Sequence, residues 1–346
     1  MKAVIPVAGI GQRLRPHTHT QPKSLVPVAD NTILGHIIER IRAAGIREFV
    51  FVIGYLGEKI ERFVRERYPD IQAEFVVQEP REGSGHALWV ARETYRHSTD
   101  GILIVLGDSI VDTDLAAIVR APESVLAVKP VKVPTEFGVV EMDAAGRVTR
   151  AVEKPRIPKS NYAMVGVYKI SSPASLIAAL DALISENARA ANNEFYLTDA
   201  LERMIRQGEH FTVRPVDHWF DCGRKETLLE ANATLLNRPG YRPAVDYAAA
   251  FPDCIIVPPV SIGQGCRIRQ SIIGPNVAIG DHTTITATIL RESIIGAYSE
   301  LSHAVLYNSI VGSDASFQGT GHSLNLGDDT EINFQDVGLP GAPGGR

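Results

Sequence analysis

The sequence predicts an α/β fold: a Rossmann-like, doubly wound and mainly parallel sheet, followed by a short left-handed parallel β-helix. Three observations predict it. Apolar strand-like runs alternate with amphipathic helical runs through the first two-thirds of the chain, the pattern of a parallel sheet wrapped by helices. Two of those runs end in glycine-containing turns, at Ala8-Gly9-Ile10-Gly11 and Gly107-Asp108, and ligands of such sheets bind at the carboxyl ends of the strands. From about Asp253 helical periodicity gives way to short aliphatic–glycine units, the mark of hexapeptide repeats.

The elements follow in order. Ala3–Val7 reads as a buried strand. Thr32–Ala44 carries Ile33, Ile37 and Ile41 at helical spacing, with Gly45 where a C-terminal cap glycine belongs. Glu48–Ile53 is a strand, and Glu58–Arg67 a helix stopped before Pro69. Ala73–Val77 is a strand, His86–Tyr95 a helix, and Ile102–Leu106 a strand running into Asp108. Further on, Ser271-Ile272-Ile273-Gly274 recurs as Ser293-Ile294-Ile295-Gly296 and Ser309-Ile310-Val311-Gly312. One coil cannot bury its own apolar face, so coils must stack; repeat counting gives roughly four. The expected organisation is a first domain over 1–237, a linker over 238–252, the β-helix over 253–334 and a mobile tail over 335–346.

Composition narrows the function classes. In 346 residues, 45% are hydrophobic and 22% charged, as in an ordinary soluble globular protein. The net charge of −5 argues against general nucleic-acid affinity, which needs a basic face. Cys222, Cys254 and Cys266 form neither a disulfide framework nor a zinc spacing, which suits a reducing cytoplasm. No apolar run reaches the ~18 residues of a membrane span, and the short apolar start reads as a core strand in preference to a signal peptide.

The glycine turn carries chemistry. Glycine lets a ligand approach the backbone closely, and consecutive N–H groups form an anion nest. Arg13, Arg15 and Lys23 follow, supplying cations for a polyphosphate. No Gly-Lys-Ser/Thr closes the turn and no third glycine makes a dinucleotide fingerprint. Asp108 and Asp221 are candidate Mg²⁺ ligands, because that ion is commonly held by one or two carboxylates with phosphate and water. Gln78 has one acceptor and two donors, enough to read both the N3–H and a carbonyl of a pyrimidine. His17 and His19 lack a nearby carboxylate or cysteine and suit a solvated or substrate-loop role over a metal site.

Residues 5–28 as a whole resemble the N-terminal signature of the sugar-1-phosphate nucleotidylyltransferases, Gly-Gly-X-Gly-Thr-Arg-Leu followed by Pro-Lys. Here Ala8 stands at the first glycine and Gln12 at the threonine. The resemblance continues through Gln78 with Gly83-Ser84-Gly85-His86-Ala87, Leu106-Gly107-Asp108, Glu153-Lys154-Pro155, the strand 161–168 with Gly166, and Asn193–Ala200 with Glu194. It ends in Asp221-Cys222-Gly223, where Arg224 replaces the usual threonine. It implies Arg13, Lys23 and Asp108 as catalytic residues, with Mg²⁺ on Asp108 and Asp221. Ala8, Gly9, Gly11, Gln78, Gly83 and Ser84 would bind the nucleotide. Glu153, Lys154, Gly166 and Glu194 would bind the sugar phosphate. The implied reaction joins UTP or dTTP to a sugar 1-phosphate, glucose 1-phosphate by default, in a cytoplasmic homo-oligomer with no nucleic-acid or membrane partner. Two alternatives stay open: a non-catalytic regulatory or assembly subunit of the same fold, and a second, acyltransferase activity in the β-helix using His282, His303 or His322.

Overall fold

The structure, a computed structural model, describes residues 1–190, 192–243 and 245–320. The expected tail and His322 lie outside the described residues.

The main sheet runs, from one edge, Gln72–Val77, Glu48–Ile53, Lys2–Pro6, Ile102–Val105, Tyr162–Ile170, Gly138–Met142, Val148–Glu153. The first four strands are parallel; the inner three are buried by helices on the two faces, and the edge strand Gln72–Val77 is only partly covered. Thr32 caps the helix Ile33–Ala43, its hydroxyl accepting from Gly35 N at 3.0 Å. The expected helix over 86–95 starts earlier, at Ser84, and is interrupted at Ala91. The Tyr95 hydroxyl donates to Leu88 O and the Thr94 hydroxyl to Ala91 O, so side chains occupy carbonyls a continuous helix would use.

Beyond Ile102–Val105 the sheet departs from the parallel pattern. Tyr162–Ile170 runs antiparallel to Ile102–Val105, to Ser124–Pro130 and to Gly138–Met142. Antiparallel neighbours can be joined by a tight turn, whereas parallel ones need a crossover. No crossover helix separates Gly138–Met142 from Val148–Glu153; Asp143 turns the chain by accepting from Ala145 N and Arg147 N.

Within the described residues the C-terminal region forms three parallel sheets of four strands each, the architecture of four coils of a left-handed β-helix. Ile255 stacks on Ile272, then Ile289, then Val305, so coils take 17, 17 and 16 residues. Each coil is shorter than three complete hexapeptides, which is why the repeat spacing wanders. The glycine of the aliphatic–glycine unit is required by coil-to-coil approach: a Cβ on Gly280 would lie 2.5 Å from Ala297 N, and one on Gly296 2.4 Å from Ser313 N. The left-handed corners are taken instead by residues such as Gln270, His282, Tyr298 and His303.

The recurring serine has an equally local cause. Ser293 is fully buried; its hydroxyl donates to Arg291 O (2.6 Å) and accepts from Ser309 N of the next coil (3.1 Å). Ser271 does the same for Thr288 N. Ser293→Ala removes the partner of the part-buried Ser309 N–H and is expected to destabilise the β-helix by about 1 kcal/mol. Chemical denaturation followed by circular dichroism reads the loss; an unchanged midpoint contradicts it.

The β-helix lies against the first region. Ala278 and Ile294 are part of the core formed by the first strand and its helices. Asn232, fully buried on the helix Lys225–Leu236, accepts from Ala29 N (2.8 Å) and donates to Asn276 O (2.9 Å). Within 238–252, Tyr247 is buried in the β-helix core and its hydroxyl accepts from Ile262 N, while Tyr241 donates to Val260 O. This segment thus grips the first coil as it leads into it.

Candidate active site

The site is built at the carboxyl ends of the parallel strands Lys2–Pro6 and Ile102–Val105. Val7 N still bonds Val52 O, after which the chain leaves the sheet at Ala8. The methyl of Ala8 packs against Gly54, which has no side chain to displace it. Gly9 is exposed, with no neighbouring atom in the space a Cβ would take, so its backbone is open to a ligand. Gly11 adopts the left-handed conformation and starts the short turn Gln12–Leu14, on which Arg13 projects outward. Thr18 donates to Gly11 O at 2.8 Å and folds the loop back, so that Lys23 returns beneath Gly11.

Asp108 and Asp221 are far apart in sequence and adjacent in space. The strand His218–Asp221 pairs antiparallel with Ser109–Asp112, setting Asp221 opposite Ser109, and Cys222 N bonds Asp108 O. The Lys23 ammonium, only 11% exposed, stands between the carboxylates: 2.8 Å from Asp108 Oδ2 and 3.8 Å from Asp221 Oδ1. Arg13 Nη2 lies 3.5 Å from Asp221 Oδ2. Burial pushes the Asp108 carboxyl up, but the Lys23 charge and hydrogen bond, with Arg13 behind, outweigh it and hold Asp108 below the usual carboxylate range.

Two carboxylates around one point offer hard oxygen donors that suit Mg²⁺, an ion that usually takes one or two protein carboxylates and completes its shell with phosphate and water. Among the described residues there is no group of three or more His, Cys, Asp or Glu side chains that could hold a metal. His17 is half-buried, and burial lowers its pKa; His19 is exposed.

The residues expected to meet the nucleotide base lie on the loop after Gln72–Val77. Gln78 is only 4% exposed, and its Nε2 already donates to Gly83 O (2.9 Å) and meets His86 Nδ1 (3.2 Å). One donor is thus held by Gly83 O, and His86 Nδ1 takes the second when the ring proton is on Nε2. Gly83 has φ +99°, and a Cβ there would lie 2.6 Å from Phe195 O. Ser84 accepts from Leu197 N at 3.0 Å, so its hydroxyl joins this loop to the segment that follows Glu194. Phe195 N to Glu82 O and Gly85 N to Phe195 O, both 2.8 Å, complete the stitching.

The residues expected to bind the sugar phosphate come from further segments. Glu153 Oε2 accepts from the Thr198 hydroxyl at 2.7 Å, and Glu153 Oε1 is 3.9 Å from Lys154 Nζ. Burial pushes the Glu153 carboxyl up more strongly than Thr198 and Lys154 pull it down. Lys154 is 53% exposed and sits at φ +40°, a strained backbone for a non-glycine residue of the kind concentrated at functional sites. Gly166 lies against Leu106, whose N bonds Gly166 O, bringing the strand Tyr162–Ile170 to the Asp108 turn. Glu194 is half-buried and accepts from Asn192. Thr198, His86 and Arg189 join the expected residues through these contacts. Thr198 and His86 stand inside the motifs 193–200 and 83–87, whereas nothing in the sequence around Arg189 signals its contacts.

Comparison with known proteins fits this geometry. The family model described as nucleotidyl transferase matches residues 2–238. A glucose-1-phosphate thymidylyltransferase from Streptomyces antibioticus is 30% identical over 97% of this chain and 100% of its own length. The bifunctional protein GlmU of Methanocaldococcus jannaschii is 34% identical over 69% of this chain and 55% of that protein. Among solved structures, a UDP-glucose pyrophosphorylase complexed with UDP-glucose shares the fold, with a TM-score of 0.60 at 22% identity over 68% of this chain and 97% of that one.

Proposed function

The chain belongs to the nucleotidyl transferase family, and from that premise we propose that it transfers a nucleotidyl group from UTP or dTTP to a sugar 1-phosphate, with Mg²⁺, releasing pyrophosphate. Glucose 1-phosphate is the default acceptor. The observation that carries this reading is the convergence of Lys23, Arg13, Asp108 and Asp221 beside the open backbone of Gly9.

The acceptor phosphate is already ionised, so its oxygen attacks the α-phosphorus in line and the P–O bond to pyrophosphate breaks on the opposite side. No covalent intermediate on the protein is required. The protein's task is to hold two anions together and in line. Asp108 and Asp221 would hold Mg²⁺, which neutralises charge on the α-phosphate when bound. Lys23 faces the same phosphate, Arg13 retains the departing pyrophosphate, and Lys154 aligns the attacking phosphate. Glu153 and Glu194 accept hydrogen bonds from sugar hydroxyls.

The retention of Lys23, Arg13, Asp108 and Asp221 in one cluster supports catalysis over a regulatory subunit. An acyltransferase reading finds less support. His282 is stacked on Tyr298 at one corner of the coil, and His303 occupies another corner. Detection of the nucleoside diphosphate sugar and pyrophosphate in equal amounts, by mass spectrometry and a phosphate assay, tests the proposal; hydrolysis of the triphosphate without sugar transfer contradicts it.

Glu153 gives a pH prediction. Its ionised form is the stronger acceptor for a sugar hydroxyl, and the Thr198 hydrogen bond favours that form. Thr198→Val removes this support, so the Glu153 carboxyl rises further. The acid-side increase in KM for the sugar phosphate is then expected to begin at a higher pH than in the wild-type chain. Superimposable KM–pH profiles would contradict it.

A further inference from the structure

Gln78 sits at the end of a chain of contacts that reaches the sugar-side segment. Which end of a glutamine amide carries nitrogen is decided by its partners. Gly83 O can only accept, so Nε2 must face it, at 2.9 Å. The same Nε2 lies 3.2 Å from His86 Nδ1, which accepts only when the ring proton is on Nε2. The Glu82 carboxylate lies 3.8 Å from that Nε2 and favours this tautomer. Glu82 is held in turn by Arg189, whose Nη2 donates to Glu82 Oε1 at 2.8 Å. Arg189 is itself fixed: its Nη1 donates to Asn193 O at 2.9 Å, and its guanidinium lies 4.3 Å from the Phe195 ring centre. With both amide hydrogens committed, Gln78 has only its carbonyl oxygen left to meet a ligand.

The geometry points to Arg189, Glu82 and His86 as a positioning relay that locks Gln78 as a hydrogen-bond acceptor and so selects uracil or thymine over cytosine. This inference rests on the proposed function. Uracil and thymine carry a hydrogen on N3 and can donate to the Gln78 oxygen. Cytosine has a bare N3 lone pair, which would meet that oxygen lone pair to lone pair. A free glutamine would evade the conflict by turning its amide and donating to cytosine N3. The relay removes that freedom, because turning would break two donor contacts and set the Gln78 oxygen against the Gly83 oxygen. None of the three relay residues needs to touch the base; they act through Gln78.

The test compares kcat/KM for UTP, dTTP and CTP in the wild-type chain and in His86→Leu, His86→Asn and Arg189→Met. The wild-type chain is expected to prefer UTP or dTTP over CTP. His86→Leu removes the acceptor and is expected to reduce that preference about tenfold, the scale of one buried unpaired donor, with CTP turnover kept or raised. His86→Asn retains an acceptor near the position of Nδ1 and is expected to recover most of the preference. Arg189→Met leaves His86 in place and should erode the preference in the same direction, which covers the case that His86→Leu fails to fold. A purely packing role predicts a different result: UTP and CTP falling in parallel, with Asn no better than Leu. That result overturns the relay, as does a wild-type chain that uses CTP as well as UTP. A folded wild-type chain that turns over no triphosphate overturns the proposed function itself.

Discussion

Lys23→Ala is expected to lower kcat by about 10²-fold or more, the scale of removing one preorganised electrostatic contact from a transition state. Lys23 bridges Asp108 and Asp221, and its removal leaves Arg13 as the remaining cation of this cluster. A second consequence separates this variant from a simple loss of charge. The Lys23 ammonium is the main counterweight to burial at Asp108, so without it the Asp108 carboxyl rises. The residual activity should therefore fail, as pH drops, at a higher pH than in the wild-type chain. Lys23→Arg is not expected to restore the rate, because a planar guanidinium cannot replace a compact ammonium between two carboxylates. A pH–rate profile for Lys23→Ala parallel to that of the wild type would contradict the coupling.

Asp108→Asn is expected to lower kcat by about 10²-fold to 10³-fold, with a smaller change in KM for the triphosphate. The amide keeps the shape of the side chain and removes the charge that Lys23 and a bound Mg²⁺ would share. Because Lys23 and Asp108 are in contact, their effects should not add; the double variant should lose little more than the worse single one. Steady-state kinetics on the three variants measures this, and fully additive losses would mean that the two residues act independently.

Much of the architecture was legible because it depends on local pattern. Buried parallel strands need continuous apolar runs, and Glu48–Ile53 is one. Stacked coils need an aliphatic side chain at each turn, and Ile273, Leu290 and Ile295 supply it. The antiparallel half of the sheet was less legible, since strands such as Val148–Glu153 take their direction from the turns between them. In the first region, the turn residues and the Asp108 strand end could be named from the chain. Their geometry could not: Asp221 reaches Asp108 through a two-stranded pairing that closes more than a hundred residues of chain. The commitment of the Gln78 amide and of the Ser84 hydroxyl was also hidden, because both partners are set by tertiary folding. The Ser293 corner shows the same limit. Its recurrence is visible in sequence, whereas the N–H it satisfies belongs to the next coil. The substitution at Arg224 finds an exposed partner in Glu136 at 3.3 Å, a pairing of small energetic weight.

The measurement that tests the central claim most directly is pyrophosphate release with Mg²⁺, across UTP, dTTP, CTP, GTP and ATP against a panel of sugar 1-phosphates. The account predicts release from UTP or dTTP that requires a sugar 1-phosphate and is lost in Lys23→Ala and Asp108→Asn. Folded wild-type protein that releases no pyrophosphate across the panel, or release that survives both substitutions, would contradict it.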